Sequence, residues 1–127
     1  LLGADYPADG IVTEHVLTEM AAEIAAMGPY HVIITGLHAG DHIHTYLYAD
    51  GHGRAFDNPK VGRDRSGSGD AFAAIVAAAL VRGIPLEEGA RRAADFIGHC
   101  LSYAEQLDLP WNYGLPFEEF MGELTTL

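Results

Sequence analysis

The chain has 127 residues, 49% of them apolar and 20% charged, with 18 Asp and Glu against 7 Lys and Arg and a formal net charge of −11. That length holds one domain with a hydrophobic core, and the composition is that of a soluble globular protein. The acidic balance argues against nucleic acid and anionic membrane surfaces as main partners, and a single cysteine, Cys100, rules out an internal disulfide and fits a reducing cytoplasm.

Leu1 to Gly10 reads as a loop, and Leu1-Leu2-Gly3 is too short for the apolar core of a secretory signal. From Thr13 to Met27, Val16, Leu17, Met20, Ile24 and Met27 recur at helical spacing. Thr13 is the expected N-cap and Gly28-Pro29 the stop. His31-Val32-Ile33-Ile34-Thr35 is a short β-branched run, which predicts a strand buried on both faces, as in a parallel sheet. Ligands bind at the ends of such strands in open α/β folds, so Thr35 and Gly36 are candidate contacts; Gly36 also suits a simple turn.

Two antiparallel strands are expected next, at about Ile43–Tyr48 and Arg54–Asn58, joined by the hairpin signal Asp50-Gly51 and ended by Pro59. His38, His42 and His44 fall within seven residues and offer imidazole nitrogens to a metal. No cysteine is nearby, and Asp41 points away in a regular strand, so these are read as exposed hairpin histidines and no metal site is predicted. Arg54, Lys60, Arg63 and Arg65 place four of the seven basic residues within twelve positions, either to meet an anion or simply as solvated charges.

Ala71 to Val81 is a continuous apolar run, far too short to span a membrane, and predicts a buried core helix beginning near Asp70. Gly83 and Pro85 end it. Pro85, Glu87 and Glu88 open another helix, with Leu86, Ala90, Ala93, Ile97, Leu101 and Ala104 as its apolar stripe and Cys100 as a buried structural thiol. Leu109 to Pro116 reads as a loop whose Trp111 and Tyr113 either stack on a ligand ring or pin the loop to the body. A short final helix is expected at about Phe117–Leu124.

The most specific pattern is Asp64-Arg65-Ser66-Gly67-Ser68-Gly69-Asp70-Ala71-Phe72. Glycines let backbone N–H groups approach an anion, and the positive end of a helix dipole points at the same place. A carboxylate repels a phosphate, so Asp70 suits the role of a base that takes the proton from an attacking hydroxyl. The motif suggests phosphoryl transfer to an alcohol.

These residues resemble the C-terminal signature of the ribokinase-like small-molecule kinases. Val32-Ile33-Ile34-Thr35-Gly36 resembles the strand before their nucleotide hairpin, and Tyr113-Gly114-Leu115-Pro116-Phe117-Glu118 resembles the closing segment of the bacterial pyridoxal kinase branch. The matches run in the family's order from Thr13 to Leu124. The resemblance implies an α/β chain, residues 1–127 forming one partial domain: the C-terminal, nucleotide-binding portion of a ribokinase-like three-layer α/β/α fold with a nucleotide-side β-hairpin. It implies ATP-dependent phosphorylation of the 5′-hydroxymethyl group of pyridoxal, pyridoxine or pyridoxamine. Asp70 would be the base, and Gly67, Ser68 and Gly69 the anion hole. Thr35, Gly36, Lys60 and Val61 would contact ATP, with Ala94 and Ile97 on the far side of the adenine.

Ser68 stands where pyridoxal kinases commonly have threonine, which retains the hydroxyl. Arg63 and Arg65 add charge that the pattern does not require, and either clamp phosphate or are solvated. The family further implies Mg²⁺, a possible role for a monovalent cation, a cytoplasmic homodimer, and partners limited to the vitamin B6 substrate, with no nucleic acid and no membrane. A hydroxymethylpyrimidine or sugar kinase is the alternative within the fold. A non-catalytic piece that needs an N-terminal half is the alternative outside it.

Overall fold

Thr13 takes an extended conformation and its hydroxyl accepts the Val16 N–H at 3.4 Å, which starts α1 (Glu14–Ala26) where the cap was expected. The computed structural model describes residues 2–3 and 12–127, so the expected opening loop, apart from Leu2 and Gly3, lies outside the described residues. Two compact units divide the chain, residues 1–59 and 60–127. None of the described helices is long and apolar enough to cross a membrane.

In the first unit α1 is followed by β1 (His31–Ala39), β2 (His42–Ala49) and β3 (His52–Pro59), an antiparallel meander in the order β1-β2-β3. This corrects the expectation of a strand buried on both faces: Val32 is the one buried residue of β1. Nor does the strand end at Thr35-Gly36. It runs on to Ala39, with Thr35 and Gly36 together opposite Thr45 in a β-bulge where Gly36 takes φ +77°. The pairing is set by Gly40, at φ +59°, in a two-residue turn between Ala39 and His42; glycine at the first central position suits a type II′ hairpin. The second hairpin turns at Asp50 and Gly51 as expected, both with positive φ, the requirement of a type I′ turn. Pro59 ends β3.

Leu17 and Ala21 of α1 pack with Val32 and Tyr46 as the core of this unit. Tyr46 is fully buried and keeps its hydroxyl paired with the Thr18 Oγ1 at 2.6 Å. The ring lies across β3 at Gly53, where a Cβ would fall 1.7 Å from the Tyr46 hydroxyl oxygen. Only glycine fits there.

The second unit is built on α2 (Ser68–Val81) and α3 (Leu86–Gln106), followed by short 3₁₀ segments at Trp111–Tyr113 and Glu118–Thr126. The expected final helix is thus a 3₁₀ run: Thr125 and Thr126 hydroxyls donate to the Gly122 and Glu123 carbonyls three residues back, competing with regular α bonding. Gly83, at φ +78°, donates to the Leu80 carbonyl and Ile84 to the Ala79 carbonyl, a Schellman stop for α2 at the expected glycine. The same pair of bonds closes α3, with Asp108 at φ +49° in place of glycine.

The apolar run in α2, which predicts a buried core helix, is buried on one face only. Phe72, Ile75, Val76 and Ala79 are buried, while Leu80 and Val81 are exposed. On α3 the buried face carries Gly89, Ala90, Ala93, Phe96, Cys100 and Ala104, so Phe96 replaces Ile97 and Leu101, which are half-buried, at the centre of the stripe. The helices approach closely enough that a Cβ on Gly89 would lie 2.9 Å from that of Ala79.

Cys100 is fully buried, as its position on the helix predicts. Burial, with the Glu123 carboxylate as a second cause, pushes its thiol from the ordinary 9.0 up to about 11. The folded state therefore holds the Cys100 proton more tightly than the unfolded chain does. The associated stability is complete below about pH 9 and is lost as the pH rises towards 11. Denaturant titrations across that range are expected to show a loss of up to roughly 3 kcal/mol that Cys100→Ala lacks; parallel curves for the two proteins would contradict it. A second expectation concerns two glycines. Gly53→Ala should destabilise the chain by about 1–3 kcal/mol in urea, through collision with Tyr46. Gly98→Ala, in the interior of α3 with open space around its Cβ position, should stabilise it by about 0.5–1 kcal/mol.

Candidate anion site and cleft at the start of α2

Gly67 caps α2 in the left-handed region, at φ +91°, a conformation that costs a side-chain-bearing residue about 1–2 kcal/mol. The turn is closed by the Arg65 carbonyl, which accepts the Ser68 N–H at 3.4 Å and the Ser68 hydroxyl at 3.0 Å. The Gly67 carbonyl accepts the Ala71 N–H at 2.9 Å. Among the described residues, nothing accepts the Gly69 and Asp70 N–H groups. Two free donors at the positive end of a 14-residue helix can receive an anion.

Asp70 lies in this first turn, exposed, at the edge of an open and chiefly apolar cleft of about 620 Å³. Gly67, Asp70, Phe96, Tyr113, Phe117 and Met121 are among its lining. One wall is the segment after Tyr113. It is held to the glycine loop by the Leu115 N–H, which donates to the Ser66 carbonyl at 3.2 Å. It is held to α3 by the His99–Glu123 pair at 3.0 Å, the Arg92 guanidinium on the Thr126 carbonyl at 2.9 Å, and the Phe120 ring set edge-on to Tyr103 at 5.7 Å. Carboxylate, free N–H donors and an apolar recess thus meet at one place. That arrangement suits an anionic group at the helix start, a proton acceptor beside it, and a flat apolar ligand in the recess.

The expected site residues are not all gathered there. Gly67 and Asp70 line the cleft, and Gly69 sits beside them in the helix's first turn. The Ser68 hydroxyl is turned back onto the Arg65 carbonyl. Lys60 is exposed and Val61 half-buried on the stretch leading to the loop, while Ala94 and Ile97 are half-buried on α3 without lining the cleft; Phe96 lines it instead. Thr35 and Gly36 are exposed in the bulge of β1, in the other unit. The sequence reading missed Phe96, although its spacing of four from Cys100 was a usable sign.

Two further expectations change. Trp111 and Tyr113 do not pin the closing loop, since each is 66% exposed. Arg65 does that work. Its side chain is 2% exposed, and its Nη1 and Nη2 donate to the Pro110 and Leu109 carbonyls, each at 2.8 Å. Arg65 is therefore neither solvated nor free to clamp a phosphate. Arg63 stays exposed, beside a smaller polar hollow of about 320 Å³ that it shares with Arg65, Glu105, Asp108 and Trp111. Of the hairpin histidines, His44 pairs with Asp57 across β2 and β3. No group of three or more metal-ligating side chains occurs among the described residues.

Comparisons with known proteins bear on what this arrangement serves. The sequence profile of the phosphomethylpyrimidine kinase family matches residues 7–113. A Bacteroides thetaiotaomicron protein provisionally assigned as a phosphomethylpyrimidine kinase is similar in two crystal forms. The rhombohedral form superposes with a TM-score of 0.86 at 22% identity, over 94% of this chain and 42% of its own. The orthorhombic form, with pyridoxal, gives 0.80 at 23%, over 94% and 43%. A Bacillus subtilis pyridoxal kinase in complex with ADP gives 0.62 at 26%, over 72% and 37%. The likenesses show the expected ribokinase-like α/β fold, and the chain spans about two fifths of the length of the solved proteins it matches. Among the curated proteins, none matches.

Proposed function

The chain belongs to the phosphomethylpyrimidine kinase family, and from that premise we propose that it carries the phosphoryl-transfer end of a kinase that phosphorylates the hydroxymethyl group of a small nitrogen heteroaromatic. The observation that carries this reading is Asp70, at the edge of an apolar cleft, in the turn whose Gly69 and Asp70 N–H groups have no acceptor among the described residues. The ADP bound by the Bacillus subtilis pyridoxal kinase supports ATP as donor, and the pyridoxal in the Bacteroides thetaiotaomicron structure supports a vitamin B6 acceptor.

In this reading the acceptor ring lies against the apolar lining, and its hydroxymethyl oxygen faces Asp70. The Asp70 carboxylate accepts that hydroxyl's proton as the oxygen attacks the γ-phosphorus in line with the leaving nucleoside diphosphate. The N–H groups of Gly69 and Asp70, with the α2 dipole behind them, receive the charge on the transferring group, and Gly67 leaves room for its approach; the Ser68 N–H is donated to the Arg65 carbonyl instead. Lys60 and Val61, on the stretch leading to the loop, add nucleotide contacts, and Ala94 and Ile97 the far side of the adenine. Magnesium ordinarily keeps several waters and binds through substrate phosphates with one or two carboxylates. The described residues hold no group of three or more metal-ligating side chains that would cage it.

The pyridoxal and hydroxymethylpyrimidine readings share this chemistry; the family profile favours the second and the bound pyridoxal the first. ATP consumption with each acceptor, for the chain and for Asp70→Asn, separates them. Turnover with one acceptor, lowered about 10²–10⁴-fold by Asp70→Asn, is the expected result. Turnover that Asp70→Asn leaves intact, or no turnover and no nucleotide binding, would sink the proposal.

A further inference from the structure

We propose that Arg65 is a positioning residue for the anion site: through its two ends it fixes the unpaired N–H groups at the start of α2 against the end of α3. The assignment rests on the anion-site reading above and deepens it.

The side chain makes one connection. Its two terminal nitrogens donate to consecutive carbonyls, Leu109 and Pro110, each at 2.8 Å. The Leu109 N–H in turn donates to the Ala104 carbonyl at 3.0 Å, in the bonds that close α3. The guanidinium thus grips the chain at the point where α3 stops. The planar fork of an arginine can hold two neighbouring carbonyls in one geometry.

The main chain makes the other connection. The Arg65 carbonyl accepts both the N–H and the hydroxyl of Ser68, and so closes the turn in which Gly67 takes its left-handed conformation. The adjacent Ser66 carbonyl receives the Leu115 N–H at 3.2 Å, so the loop that Arg65 grips is bonded a second time to the same short stretch. Movement of residues 109–115 is therefore passed to Gly67 and the donors beyond it.

Stability alone is a weak reason for this arrangement. Among the described residues the carboxylate paired with the guanidinium, Glu105, stands 3.8 Å away and is itself 46% exposed, and the buried Nε has no acceptor. A buried charge so incompletely paired stabilises little relative to an apolar side chain of similar size. What the apolar side chain lacks is the pair of directed bonds to Leu109 and Pro110. Gly62 reinforces the assembly: at φ +59° it lies so near Glu105 that a Cβ would come within 2.6 Å of that side chain.

The test uses ¹⁵N-labelled chain with Arg65→Met, Arg65→Ala and Arg65→Lys, followed by amide spectra and titration with inorganic phosphate. In Arg65→Met the amides of Gly67, Gly69 and Asp70 are expected to move while those of the α2–α3 core stay in place, and phosphate affinity to fall about 10-fold or more. Millimolar guanidinium should return the Gly67–Asp70 amides of Arg65→Ala towards their original positions, and should do nothing for Arg65→Met, whose side chain fills the space. If Arg65→Met unfolds, Arg65→Lys decides by the same criterion: displacement confined to residues 67–70 and 109–115 supports the assignment. Amides that all move together, or none that move, would overturn it. If the unaltered chain binds no phosphate, the anion-site reading fails, while the local displacement and its guanidinium rescue still decide the role of Arg65.

Discussion

One buried arginine joins the end of α3 to the beginning of α2, and the glycine loop of the candidate site lies beside that join. Arg65 holds the Leu109 and Pro110 carbonyls with its side chain and the Ser68 donors with its own carbonyl. Between these anchors Gly67 adopts a conformation that a side-chain-bearing residue takes only under strain. Among the described residues the next two N–H groups of α2, those of Gly69 and Asp70, have no acceptor. Where helix ends are usually satisfied by a cap side chain, this one is open to a ligand.

The cleft beside it depends on weaker forces. Its outer wall, the 3₁₀ segment Glu118–Thr126, contains no buried residue and is held to α3 by an imidazole–carboxylate pair, one guanidinium–carbonyl bond and the Phe120 ring. The inner wall is the opposite case. It includes the buried Ile75 and Phe96 and is backed by the α2–α3 packing, where Ala79 and Gly89 bring the helices into close contact. The cleft thus lies between a closely packed wall and one held by a few surface contacts.

Much of this was legible locally. Thr13, Asp50-Gly51, Pro59, Gly83 and Pro85 each act through the conformation of one or two residues, and each stands at the boundary it predicts. The Gly-x-Gly-Asp pattern likewise places Asp70 in the first turn of a helix from spacing alone. The partner of β1 was not legible in the same way. A β-branched run suits the interior of a parallel sheet and an antiparallel meander equally, and the choice here turns on Gly40, which closes a hairpin, and on the Gly36 bulge, which carries the strand past its expected end.

The amino-acid sequence by itself determined where the helices begin and end, where one hairpin turns, and that an acid stands in the first turn after a glycine loop, because these depend on backbone preferences acting over a few residues. Only the tertiary structure decided what the side chains meet. Arg65 and Arg63 look alike as neighbouring charges in the sequence, yet one is buried against carbonyls some 45 positions away and the other faces water. Trp111 and Tyr113 look like anchors and are exposed, whereas Phe96, outside the expected apolar stripe, is buried and lines the cleft. Burial and directed hydrogen bonds between distant segments form only when the helices pack, so no local pattern could assign these roles in advance.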